Sequence, residues 1–227
     1  MKRSPQFNET PFRLSKGLSG NVAAHEAGHA AAIYLGNKRK GLPQVFFQLS
    51  IAPQAGDALC GKYLLKPGSG FIAEVEGGRL IQTLPTSFKE ATSGFSPEQR
   101  LAYQRAFEAD MVNLLVGPLA EAKYCALQDG DVFDPFFLNV NALHDYGGCH
   151  DLDSFFSYLE CYLGEADEAL REVKITELYL EAFNFVIGRS SWLAITTLAD
   201  YLVGSDQTTI ECNEIIAVLK KANLAYA

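Results

Sequence analysis

The sequence lacks any apolar run long enough to cross a bilayer. Stretches such as Val112 to Ala120 fall well short of the roughly 20 residues a span needs, and Gly, Pro or a charge breaks each one. Positive charge is scarce, since 19 Lys and Arg face 27 Asp and Glu for a net charge of −8. That is the wrong sign for a broad face that holds phosphate backbones. Neither nucleic acid nor a membrane is therefore an expected partner. Cysteine is sparse as well: the five are odd in number, widely spaced and form no Cys-x-x-Cys, which excludes a disulfide-stapled miniprotein. Met1 to Leu18 carries basic residues but no apolar core of a secretion signal, so a cytoplasmic location is expected. No internal repeat or low-complexity tract is present.

What remains is the composition of a globular protein, 227 residues with 48% hydrophobic and 20% charged, enough for one domain with a sizeable core. Residues 1–20, polar with Pro5 and Pro11, read as an extended arm, and 21–227 as a single domain. Ala, Ile, Tyr and Leu recur at helical spacing from Val22 to Leu35, with Asn21 as N-cap and Gly36-Asn37 as stop. Two strands are expected between Gln44 and Leu65, around a turn at Pro53 to Asp57, and Gly68 to Ser96 reads as irregular. Further helices are expected near Pro97–Leu127, Asp151–Leu163, Glu165–Val186, Ser190–Leu202 and Thr209–Ala222. The fold class is thus mainly α (α+β), a helical domain with a small strand pair after the first helix.

The sharpest motif is His25-Glu26-Ala27-Gly28-His29, inside that first helix. Residues four apart share a helix face, so both imidazoles can reach one metal ion, while Glu26 is turned by about 100° and can address a water on that ion. This is the zinc-hydrolase arrangement: the ion makes its water acidic near neutral pH and the carboxylate takes the proton. Two of only four histidines are used here, between the uncharged runs Val22-Ala23-Ala24 and Ala30-Ala31-Ala32. A metzincin would need Gly at 32 and His at 35, where the chain has Ala32 and Leu35. Glu74, Glu76, Glu108, Glu121, His144, His150 and Asp151 remain as candidate third ligands.

These residues resemble the proteolytic domain of the FtsH-type membrane proteases, the M41 zinc metallopeptidases. Val22 to Ala30 is similar to the family's metal-binding helix, and Leu49 to Pro53 followed by Gly61-Lys62-Tyr63 to its strand pair. Gly117-Pro118-Leu119-Ala120-Glu121 is similar to its Gly-Arg-Ala-Ala-Glu helix, and Gly147 to Leu152 to the segment whose Asp is the third zinc ligand. Trp192 to Leu202 and Ile215-Ile216 look like its closing helices. The resemblance implies Zn2+ on His25, His29 and Asp151, Glu26 as general base, and Glu121 hydrogen-bonded to a ligand imidazole. Relative to the family, 68–96 and 129–146 look like insertions, and Pro118, standing where Arg is usual, should kink its helix. Gly77-Gly78-Arg79 imitates the family's glycine pair without its Ala-Ala-Glu continuation and reads as a decoy.

The expected function is zinc-dependent hydrolysis of peptide bonds in unfolded or flexible polypeptides. The alternative is a zinc-binding, catalytically inactive peptidase fold that acts as a binding or regulatory module. Gly56 to Lys62 fits Gly-x-x-x-x-Gly-Lys, but Tyr63 stands where a phosphate loop needs Ser or Thr. No ATPase module or membrane segment is expected in the chain, while a homo-oligomer and a separate ATPase partner are compatible with it. Cys149 reads as a buried, inert thiol.

Overall fold

The computed structural model describes residues 17–53, 59–60, 63–64, 71–78, 84–136 and 138–224. Helix α1 (Gly20–Ala31) begins two residues before its expected start, and its cap is Ser19, whose hydroxyl accepts the Val22 amide at 3.3 Å. Asn21 lies inside the helix, because Ser19 is the residue in extended conformation and only such a residue can aim its side chain at the free amides. The helix does not stop at Gly36. It passes through a π-helical turn (Ala32–Gly36) into the short α2 (Asn37–Arg39), a widened turn of the kind that recurs beside functional sites.

Strand β1 (Phe47–Pro53) lies where it was expected, but its partner does not. Residues of the expected second strand form β2 (Leu59–Cys60) and β3 (Tyr63–Leu64), which among the described residues pair only with each other. The partner of β1 is β4 (Phe71–Gly77), antiparallel, with Leu49 opposite Val75 and Ile51 opposite Ala73. Burial decides this register: Phe47, Leu49 and Ile51 face the core with at most 2% exposure, and Ala73 joins them while Glu74 and Glu76 face out. The alternation Ala73-Glu74-Val75-Glu76 was present in a segment read as irregular.

Helix α3 (Phe88–Ala91) leads into α4 (Pro97–Asp129), the spine of the fold. Ser96 and Gln99 form a reciprocal capping box with Pro97 in the first turn, and Gly130 ends the helix in a left-handed conformation. The helix runs on through Pro118. A 3-10 helix (Val140–Tyr146) precedes α5 (Cys149–Leu163), and α6 (Glu168–Ile187), capped by Asp167, precedes α7 (Arg189–Gly204). Thr209–Ile210, expected to start the last helix, instead form β5 against Leu49 and Ser50, and α8 (Cys212–Leu224) follows. The sheet order is β4-β1-β5. Helix α4 packs against α1, α5 and α6, and α1 also packs on α7 and β4. Phe107, Leu115, Leu119, Leu152 and Phe155 are buried where these helices meet. Among the described residues, no helix is long and apolar enough to cross a membrane.

Candidate metal centre

Helix α1 approaches α4 most closely at Gly28, where an added Cβ would stand 2.8 Å from the Cβ of Ala120 and 2.9 Å from the Val116 carbonyl oxygen, so small residues set the distance between the two helices. Added to Gly117 of α4, a Cβ would stand 2.2 Å from the Nε2 of His29, so only glycine leaves room for the ring. This close crossing places both imidazoles against the middle of α4. Asp151, in the first turn of α5, then reaches them from the other side.

Three side chains converge as a result. His25 Nε2 lies 3.1 Å from His29 Nε2 and 3.1 Å from Asp151 Oδ2, and His29 Nε2 lies 3.2 Å from Asp151 Oδ1. With one ligand atom taken from each residue, all three fall within 4.8 Å of one another, and the group can hold a metal ion.

The outer ring nitrogens decide what these inner atoms are. His29 Nδ1 lies 2.8 Å from the main-chain oxygen of Asn113, which can only accept, so Nδ1 carries the proton. His25 Nδ1 donates in the same way to Glu121 Oε2 at 3.0 Å. In the neutral rings both Nε2 atoms are therefore bare, and two lone pairs and a carboxylate point at one another. Such a set is satisfied only by a cation between its members, whether a metal ion or protons.

The acid-base shifts have this origin. Burial, the largest influence on each imidazole, disfavours its charged form, but it is outweighed. For His25 the hydrogen bonds to Asp151 and Glu121 hold the pKa well above 6.5, and for His29 the charge and hydrogen bond of Asp151 raise it. Burial likewise opposes ionisation of Asp151, yet the two histidines hold it far below 3.8. Burial raises the Glu26 carboxyl above 4.5 despite both imidazoles. Glu26, next along α1, accepts the Val75 amide of β4 at 2.9 Å. A pocket of about 60 Å³ beside the cluster is lined by His29, Asp151, Val75, Gly77, Gly78 and Asp110, among others.

The other candidate ligands lie elsewhere. Glu76 binds Gln48 and Ser50 on the exposed face of the sheet, beside exposed Glu74, and Glu108 is held by Gln104, Tyr162 and Lys174. His144 and His150 are exposed. Contributions that went unread in the sequence are the carbonyl of Asn113 and the amide of Val75, because main-chain groups leave no trace in residue type. Gly77 and Gly78, read as a decoy, line the pocket beside His29. Gly147, at φ +71, leaves room beside Glu121 and His25, where a Cβ would stand 2.8 Å and 3.2 Å from their polar atoms. Cys149, two residues before Asp151, is buried as expected, but it is disulfide-bonded and not a free thiol. The phosphate-loop-like stretch lies outside the described residues except for Leu59–Cys60. A comparison with protein-family models, curated proteins and solved structures finds no match for the chain.

Proposed function

We propose that the chain is a zinc-dependent peptidase that hydrolyses peptide bonds in unfolded or flexible polypeptides, with His25, His29 and Asp151 as ligands and Glu26 as general base. The observation that carries this reading is the convergence of the two Nε2 atoms and a carboxylate at 3.1 to 3.2 Å, with the far nitrogen of each ring hydrogen-bonded to Glu121 or to the Asn113 carbonyl. Imidazole and carboxylate donors on a rigid helical frame suit zinc. Zinc held there supplies Lewis acidity, which polarises a carbonyl and makes a water acidic near neutral pH.

The chain's own residues supply the rest. Glu121 and the Asn113 carbonyl hold the imidazoles in the ligating tautomer. In this reading Glu26, its carboxyl raised by burial, accepts the proton of an attacking water, and a higher pKa makes a carboxylate a more effective base near neutral pH. A polypeptide substrate is favoured because, among the described residues, β4 pairs with a strand on one side only, and its Val75 and Gly77 line the pocket beside the cluster. An extended chain pairs with such an edge. The residue order shared with M41 peptidases supports the same reading.

The second reading, a zinc-holding protein without turnover, is favoured by one contact. The Val75 amide already occupies an oxygen of Glu26. As for location, the cytoplasmic reading rests on composition, and the disulfide of Cys149 weighs against it, since a reducing cytosol opposes such bonds. The test is a comparison of wild-type and Glu26→Gln proteins, both zinc-loaded, on casein without ATP. Cleavage by the wild type that chelation stops, zinc restores and Glu26→Gln abolishes supports the peptidase. Equal inactivity on a broad panel of unfolded proteins and peptides would favour the second reading.

A further inference from the structure

One cleft among the described residues lies away from the metal centre. It is a groove of about 720 Å³ between the C-terminal half of α5, α6 from Glu168 to Leu180, and residues 135–136 and 139–141. Phe156 and Leu159, which line it, stand five and eight residues beyond Asp151, about 8 to 12 Å along α5 at the helical rise. The groove is therefore a separate site.

Its walls have two characters. Val140, Phe156, Leu159, Ile175 and Tyr179 give an apolar floor, and Phe136 and Leu180 extend it outward at 93% and 42% exposure. Around that floor stand Glu160, Glu168 and Glu172, and none of these carboxylates makes an ion pair among the described residues. The one cation of the lining, Arg171, donates to the Gly164 carbonyl at 2.8 Å. The positions contributed by α6 run from Glu168 to Leu180 on one face, about 18 Å at the helical rise.

We propose that this groove binds a cationic amphipathic helix of another polypeptide, about three turns long, with apolar side chains on the floor and Lys or Arg against the three glutamates. Charge decides between this occupant and a second copy of the chain. Three unpaired carboxylates on a protein of net charge −8 repel an acidic partner and attract a basic one. The 18 Å run and the outlying Phe136 fit a helix seated lengthwise, as in other helix-in-groove recognition.

The test uses the full chain and a fluorescein-labelled peptide of Lys and Leu arranged with one apolar helical face. A control peptide has the same composition scrambled so that no such face forms. Fluorescence anisotropy should show binding of the first peptide that weakens with added salt. Glu160→Gln/Glu168→Gln/Glu172→Gln should weaken it about tenfold, the order expected for losing three surface ion pairs. Leu180→Asp, on the exposed lip, should weaken it comparably, with the circular dichroism of both variants unchanged. Equal binding of the scrambled peptide, or an affinity that neither variant alters, would overturn the proposal. So would self-association of the chain that Leu180→Asp abolishes, since that would assign the face to a second copy.

Discussion

The metal centre and the acidic groove share helix α5 and differ in how their polar groups are treated. At the centre every ring nitrogen and carboxylate faces a named neighbour, and the supporting contacts to Glu121 and Asn113 come from one long helix. At the groove three exposed carboxylates make no ion pair among the described residues. The first arrangement is a group that can hold a metal ion, and its ordering cost is met during folding. The second offers shape and charge to a partner that supplies its own order. The chain distances differ in the same sense: His25 and Asp151 are 126 residues apart, whereas the groove is built from the continuous stretch 135–180.

If the two regions are independent, damage to one leaves the other intact. The largest effect is expected from His25→Ala, His29→Ala or Asp151→Ala. Each should lower zinc affinity by orders of magnitude, read by elemental analysis after zinc loading and desalting of untagged protein, with peptide binding at the groove unchanged. Zinc retained at about one equivalent in Asp151→Ala would remove Asp151 from the ligand set. Next is Glu26→Gln, which should keep the metal and lose a factor of about 10² to 10⁴ in any hydrolysis the wild type shows.

Gly117→Ala puts a Cβ 2.2 Å from the His29 ring atom if nothing moves. It should cost about 1–3 kcal/mol in denaturant unfolding, the usual range for overpacking, and should weaken zinc as well. Glu121→Gln, which leaves His25 without its carboxylate, should weaken zinc roughly 10 to 100-fold by chelator competition.

The smallest effect is one of pH. The His25 and His29 pKa values are raised in the folded chain, so without metal their contribution to stability is complete below 6.5 and is lost as pH rises through the raised values. Asp151 is depressed from 3.8, so its contribution is present above 3.8 and is lost as pH falls toward its folded value. The chelated protein should therefore lose melting temperature on the alkaline side of that window. The zinc-loaded protein should gain there, because metal and protons compete for the same nitrogens. A melting temperature that falls with pH equally in both forms would contradict the shared lone-pair arrangement.

Much of this was legible in residue order. The long helices lay near their expected places because their apolar residues recur at helical spacing and Pro97, Asp167 and Gly130 mark ends by their own chemistry. The pairing of β1 was not legible. Leu59–Leu65 and Phe71–Gly77 are both short and rich in apolar residues, and it is the second that pairs with β1 and packs against α1. Likewise a strand of two residues such as Thr209–Ile210 is too short for its own periodicity to announce it.

By itself the sequence determined the helical class and the pair of imidazoles on one helix face, because four-residue spacing within a helix is a local property of the backbone. It also placed Glu26 beside that face. The tertiary structure alone decided how the remaining groups meet. His25 finds Glu121 behind it and Asp151 in front, and His29 finds a main-chain oxygen, across separations of 96, 126 and 84 residues. No local rule carries that information. It depends on small residues letting α1 lie close against α4, and on the turn at Gly147, with its left-handed backbone, bringing α5 to the same point.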